Sequence, residues 1–254
     1  MNRIDLNCDM GELQEHIADG TQEALMRSIT SVNIACGGHA GDTQTMAATI
    51  EQALRHKIAI GAHPGYADRA NFGRIELNLS PEEVADSVYQ QVRALADVAA
   101  QHHANITHVK PHGALYNQAI HNRELARAIA AGVSRWSRHV VLVGLAGSPM
   151  LEIFRDAGLP IAAEAFADRR YEPDGTLRSR KHSDALIQDP GEAAQQASSI
   201  VQGKIIARDG SQLALHADTL CIHSDTPGST RIAAQVAQTL RDAGVILGRV
   251  APGF

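Results

Sequence analysis

The chain has 254 residues, 44% hydrophobic and 20% charged, with a formal net charge of −5, which is enough apolar material for one barrel-sized domain over 1–254. That balance gives no reason to expect nucleic acid as a partner, and no run approaches the roughly eighteen apolar residues of a membrane span. Three cysteines without a CxxC spacing, and a start at Met1-Asn2-Arg3 with no apolar leader, lead to the expectation of a cytoplasmic location.

Taken in chain order, short apolar runs alternate with helical patterns. A first predicted strand, 4–6, runs into Asn7, Asp9 and Glu12. The second, 31–35, contains Asn33 and leads to Cys36-Gly37-Gly38-His39 and to Asp42, which precedes a helix over 43–55. The third, 58–62, is followed by His63. Ser80-Pro81-Glu82-Glu83 then opens a helix with Val84, Val88, Val92, Leu95 and Val98 on one stripe. The fourth strand, 106–109, delivers His108, Lys110, His112 and Asn117, and Leu125, Ile129, Val133 and Trp136 mark the next helix. After a fifth strand, 140–143, Ser148-Pro149 opens a helix that stops near Gly158. The sixth, 161–166, carries Glu164 and leads to Asp168, Arg169 and a cation-rich segment ending at His182. Asp189-Pro190 starts a helix running towards Gly203. A seventh strand, 219–222, ends in His223, Ser224 and Asp225, before a last helix with Ile232, Val236 and Leu240.

Alternating strands and helices predict an α/β protein with a parallel sheet. The first strand is not followed by GxGxxG and no Walker A motif occurs, so the expectation is a closed or nearly closed (β/α) barrel of about seven strands, somewhat distorted. In such folds ligands bind at the C-terminal strand ends, where six of the seven runs place ionisable or amide groups.

The same residues have plainer readings. Asp9, Asp42 and Asp225 are also candidates for caps or turns, and for Asp42 the cap is favoured. Cys36 is a candidate nucleophile, although cysteine among small residues is more often packing. Lys110 suits an anion clamp or a structural ion pair. Asp9, His63 and His112 form a candidate one-carboxylate, two-histidine set for a divalent metal such as magnesium. The segment from Asp168 to His182 is either a phosphate or carboxylate cradle or a solvated loop.

The stretches Asn7–Glu12, Ser31–Asp42, Gly61–Tyr66, Phe72–Arg74, His108–Asn117, Glu164–Arg169 and His223–Asp225 resemble the LamB/YcsF family over nearly the whole chain. The resemblance implies a barrel related to the glycoside hydrolase and deacetylase barrels. It further implies the A subunit of an ATP-dependent 5-oxoprolinase, which opens 5-oxoproline to L-glutamate together with subunits B and C. On that reading Asp9, His63, Lys110, His112 and Asp225 are expected to be catalytic. Asn7, Glu12, Asn33, His39, Arg74, Asn117, Glu164, Asp168, Arg169, His182 and His223 are expected to bind substrate or phosphate. Two alternatives stay open: a metal-dependent amidase or deacetylase acting alone, and a non-catalytic ligand-binding subunit.

Overall fold

Residues 3–250 are described in a computed structural model; Met1 and Asn2 of the N-terminal reading lie outside them. In chain order the elements are β1 (Arg3–Met10), α1 (Gln14–Ala18), α2 (Thr21–Met26), β2 (Ser31–Ala35), α3 (Thr43–His56), β3 (Ala59–His63) and α4 (Pro81–Gln101). They continue with β4 (Ile106–Val109), α5 (Gly113–His121), α6 (Arg123–Trp136), β5 (Val141–Leu145), α7 (Pro149–Asp156) and β6 (Ile161–Phe166). Last come α8 (Pro190–Val201), β7 (Lys204–Ile206), β8 (Gln212–Ala214), β9 (Thr219–Cys221), α9 (Ser229–Asp242) and β10 (Ile246–Leu247).

Strands β1 to β6 pair in sequence order, all parallel, and β9 joins β6 back to β1. The result is a closed seven-stranded parallel barrel with helices around it. Two strand pairings lie beyond the sequence expectation. An antiparallel hairpin, β7–β8, stands outside the barrel, and β10 pairs with the first residues of β1.

The helix starts follow local chemistry. Asp42 and Thr45 form a reciprocal capping box, as do Ser80 and Glu83, while Asp189 and Asn122 cap α8 and α6. Ser148 departs from the expectation: its hydroxyl donates to the Leu145 carbonyl and leaves α7 uncapped.

The first strand is longer than its apolar run because the barrel interior is polar there. Asp5, Asn7 and Asp9 alternate with Leu6, Cys8 and Met10, and both sets are buried. With a side-chain period of two, the polar set faces the barrel axis and the apolar set faces the helices. The main core lies in that outer layer, where Leu6, Met10, Val32 and Ile34 join Ile50, Val92, Ile129 and Val236. Val141, Val143, Ala162 and Val250 form a small separate apolar cluster.

Candidate active site at the barrel mouth

A ladder of buried polar groups climbs the barrel axis. At the bottom, Asp5 accepts from Thr30, Ser31 and Thr219, and burial raises its pKa despite these bonds. One step up, Asn7 Nδ2 donates to Glu164 (3.0 Å) and Thr219 (2.7 Å), while Asn33 Nδ2 donates to Asn7 Oδ1 and Asp9 Oδ1, each at 2.8 Å. His108 closes this layer with Nε2 donating to Asn33 Oδ1 at 2.9 Å. Burial and then the Lys110 charge push the His108 pKa down to about 3, so the ring is neutral. Gly61 makes room for it: a Cβ there would sit 2.1 Å from His108 Nε2.

Lys110 leaves β4 into this layer. Its ammonium contacts Asp9 Oδ1 (2.9 Å), Glu164 Oε1 (2.9 Å) and Cys221 Sγ (3.1 Å). Burial works against its charge, but Asp9, Cys221 and Glu164 outweigh it and hold the pKa well above the ordinary lysine range. Three close partners use all three ammonium protons, so the geometry makes Lys110 the counter-ion of Asp9 and Glu164 more readily than a clamp on an incoming anion. Asp9, Cys221 and His223 also hold clustered donor atoms, but the Lys110 ammonium already contacts two of the three residues, Asp9 and Cys221.

Asp9 Oδ2 faces upward to His63 Nε2 at 3.3 Å. Burial raises the Asp9 carboxyl, but the charges of His63 and Lys110 overcome that and lower it well below its usual range. His63 Nδ1 donates to the Lys110 carbonyl at 2.7 Å, and His112 Nε2 donates to the Phe72 carbonyl at 2.9 Å. Since a carbonyl only accepts, His63 Nδ1 and His112 Nε2 both carry hydrogen. The remaining nitrogens, His63 Nε2 and His112 Nδ1, meet at 3.0 Å. Against burial, Asp9 raises the His63 pKa; burial, then His39 and His63, lower His112 well below its usual value. Glu12 Oε1 completes the group, 3.2 Å from His112 Nδ1 and 2.8 Å from His39 Nε2. The donor atoms of Glu12, His39, His63 and His112 lie within 4.8 Å of one another. Asp9 is outside that quartet, and Lys110 and Asn33 hold its other oxygen.

Above this floor opens a cavity of about 1100 Å³, lined by Asp9, His63, His112, Phe166, Arg169 and His223 among others. Asp168 accepts from the His223 backbone N–H, the His223 ring and Thr226, fixing His223 against Phe166. Arg169 is 6% exposed and its Nε has no partner. Burial and the nearby Arg180 bring its pKa down to about 10. At the rim, Asp225 takes ion pairs from Arg74 and Arg180; burial opposes its charge, but Arg180 above all holds its carboxyl at about 2.

Thus the sequence candidates separate by height. Asn7, Asn33 and Glu164 lie below the floor, in the barrel interior. Asp9, Glu12, His39, His63, Lys110 and His112 make the floor. Arg169 and His223 line the wall, and Arg74, Asn117 and Asp225 the rim. His182 is exposed and does not line the cavity. The cradle reading of the loop therefore narrows to Arg169, Arg180 and Lys181. Cys36 is buried with its thiol pushed up to about 12, which favours its packing role. Sequence reasoning missed Asp5, Thr219 and Cys221 as site residues. The alternation of Asp5 with Asn7 and Asp9 is the available signal for the first.

A closed parallel barrel gathers carboxylates, imidazoles and an ammonium beneath one mouth, the α/β-barrel arrangement in which ligands meet the C-terminal strand ends. The same fold occurs in a family 4 carbohydrate esterase from Streptomyces lividans (TM-score 0.51, 12% identity, covering 99% of this chain and 98% of that one). The chain belongs to the LamB/YcsF family, whose model matches residues 4–252. It is 46% identical to the A subunit of 5-oxoprolinase from Chloroflexus aggregans over 96% of this chain and 98% of that one. A lactam utilization protein from Thermus thermophilus superposes with a TM-score of 0.90 at 40% identity, covering 98% of this chain and 100% of the other.

Proposed function

We propose that the chain is the A subunit of an ATP-dependent 5-oxoprolinase, acting on the cyclic amide with subunits B and C. The observation that carries the reading is a cavity with an acid–base floor and a cationic wall, in a chain 46% identical to a protein of that name. A relative named for one lettered subunit presupposes others. 5-Oxoproline has a carboxylate and a stable lactam, and each needs a different group.

Arg169, with an unused N–H donor in a largely buried guanidinium, suits the carboxylate. Asp9 Oδ2, kept ionised by His63 and Lys110, is placed to accept a proton from water and return it to the leaving nitrogen, with His63 and His112 holding the floor beside it. The resemblance supplies the ATP step, in which a phosphoryl group activates the lactam oxygen before water attacks. At about 1100 Å³ the cavity exceeds what one five-membered ring fills, leaving room for a phosphoryl donor or a partner's loop.

Co-expression with candidate B and C subunits, followed by a glutamate-release assay, tests this reading. Release that requires 5-oxoproline, ATP and all three chains supports it. Release by this chain alone, indifferent to ATP and abolished by a chelator, would replace it with the stand-alone metal-dependent amidase that the Glu12, His63 and His112 donors favour. Substrate binding to this chain with turnover untouched by Asp9→Ala would leave a ligand-binding role without catalysis.

A further inference from the structure

We propose that Glu12, His63 and His112 form a binding site for one divalent transition-metal ion of the zinc type, with His39 as the residue that positions Glu12. Two facing nitrogens carry the argument. His63 Nε2 and His112 Nδ1 are the ring nitrogens left facing each other once their opposite nitrogens serve carbonyls, and they stand 3.0 Å apart. Two nitrogens that close share either a proton or a metal ion, and a third donor converging on the same point favours the ion.

Glu12 Oε1 is the third corner, 3.2 Å from His112 Nδ1 and 3.8 Å from His63 Nε2. The three edges define an acute triangle whose equidistant point lies about 2.0 Å from each corner, which is the bond length zinc makes to imidazole nitrogen and carboxylate oxygen. Both histidines already have the outer bonds that ligating histidines need, in each case to a backbone carbonyl.

His39 belongs to the quartet by distance but not by direction. Its ring stacks on His112 at 3.5 Å with an interplanar angle of 4°, so an ion in the His112 plane lies out of reach of the in-plane His39 lone pairs. Its Nε2–H instead donates to Glu12 Oε1 at 2.8 Å and fixes that carboxylate. Asp9 stands outside the group of donors that converge within 4.8 Å of one another, and its Oδ1 is committed to Lys110 and Asn33. Two imidazoles and one carboxylate suit zinc, cobalt or manganese, whereas magnesium takes oxygen donors in an octahedron, so the expectation of magnesium is revised here. Three protein donors leave coordination positions open towards the cavity, where a bound ion supplies Lewis-acid character.

Ion binding here is independent of which amide the cavity takes, so the test needs no substrate. Purified chain is stripped with a chelator, dialysed against zinc and analysed by elemental mass spectrometry. In parallel it is titrated with cobalt(II) and followed by visible absorption and thermal melting. One equivalent of zinc, an intense four- or five-coordinate cobalt band and a zinc-dependent rise in Tm are expected. His112→Gln, which retains side-chain volume, and Glu12→Gln should each lose the band and the Tm rise, while His182→Gln, at an exposed histidine outside the cavity lining, keeps both. His39→Phe should weaken zinc binding by roughly tenfold to a hundredfold, and His39→Gln, which keeps an N–H for Glu12, should restore it. A folded wild-type chain with no zinc would overturn the proposal, as would a cobalt band unchanged in His112→Gln. If His112→Gln does not fold, the Glu12→Gln and His182→Gln pair decides in the same way, since only the first should lose the metal.

Discussion

Asp9 and Lys110, 101 residues apart in the chain, meet at 2.9 Å inside the barrel with almost no exposure of either side chain. Removing one partner leaves the other charged and buried, which typically costs about 3–5 kcal/mol, far more than the pair contributes as a pair. Lys110→Met is therefore expected to lower unfolding stability by about that amount in urea titrations. Adding Asp9→Asn in the same chain should recover part of the loss. Two additive penalties would mean that the carboxylate and the ammonium do not compensate one another.

Gly61 and His108 share one space across neighbouring strands. Gly61→Ala places a methyl group 2.1 Å from the ring nitrogen, a contact that neither strand can relieve without moving. Overpacking of this kind usually costs about 1–3 kcal/mol, and the rigidity of a closed barrel favours the upper end. In a His108→Ala background the same methyl group meets no ring. Thermal melts of the single and double variants should therefore show the glycine substitution severe in the first case and mild in the second.

His108 also sets a pH dependence. Its pKa is about 3 in the folded chain, below the 6.5 of an ordinary histidine. Between those values the unfolded chain holds a proton that the folded chain does not, so stability falls as pH drops from 6.5 towards 3. The slope from this one group is at most about 1.4 kcal/mol per pH unit. Urea midpoints measured across the window should fall less steeply for His108→Gln. Parallel curves for the two proteins would show that the ring is not held neutral.

Arg169 is the buried cation with a donor to spare. In the assembled complex, Arg169→Met is expected to raise KM for 5-oxoproline at least tenfold, about 1.4 kcal/mol of binding, with a smaller change in kcat. Arg169→Lys should fall between, since an ammonium keeps the charge but loses the planar fork. An unchanged KM would move the carboxylate contact to Arg180 or out of this chain.

Local chemistry makes the helices legible: Asp42, Ser80 and Asp189 cap where their side chains announce it, and the strands β2, β4 and β6 coincide with their apolar runs. The apolar run understates the first strand because polarity is usually a sign of solvent, and here Asn7 and Asp9 turn towards a polar barrel axis. The hairpin β7–β8 does have a local signal, the Asp209-Gly210 turn between Ile205-Ile206 and Leu213. Long-range geometry is beyond any local pattern. Nothing near Glu12 in the chain indicates that it, more than Asp9, stands beside His112, since that depends on how three strands and their loops meet.

Closure through β9 has a consequence for how the molecule comes into being. Asp5 bonds Thr219, a residue 214 positions later, and β1 finds its neighbour on that side only when β9 arrives. On the ribosome, the acidic rungs of the first strand emerge early and stand open to water through most of translation. The ammonium of Lys110 reaches them midway, and the seam is sewn last. A chain arrested before β9 would thus expose a naked strand edge beside unshielded carboxylates, a form that chaperones and proteases are built to find.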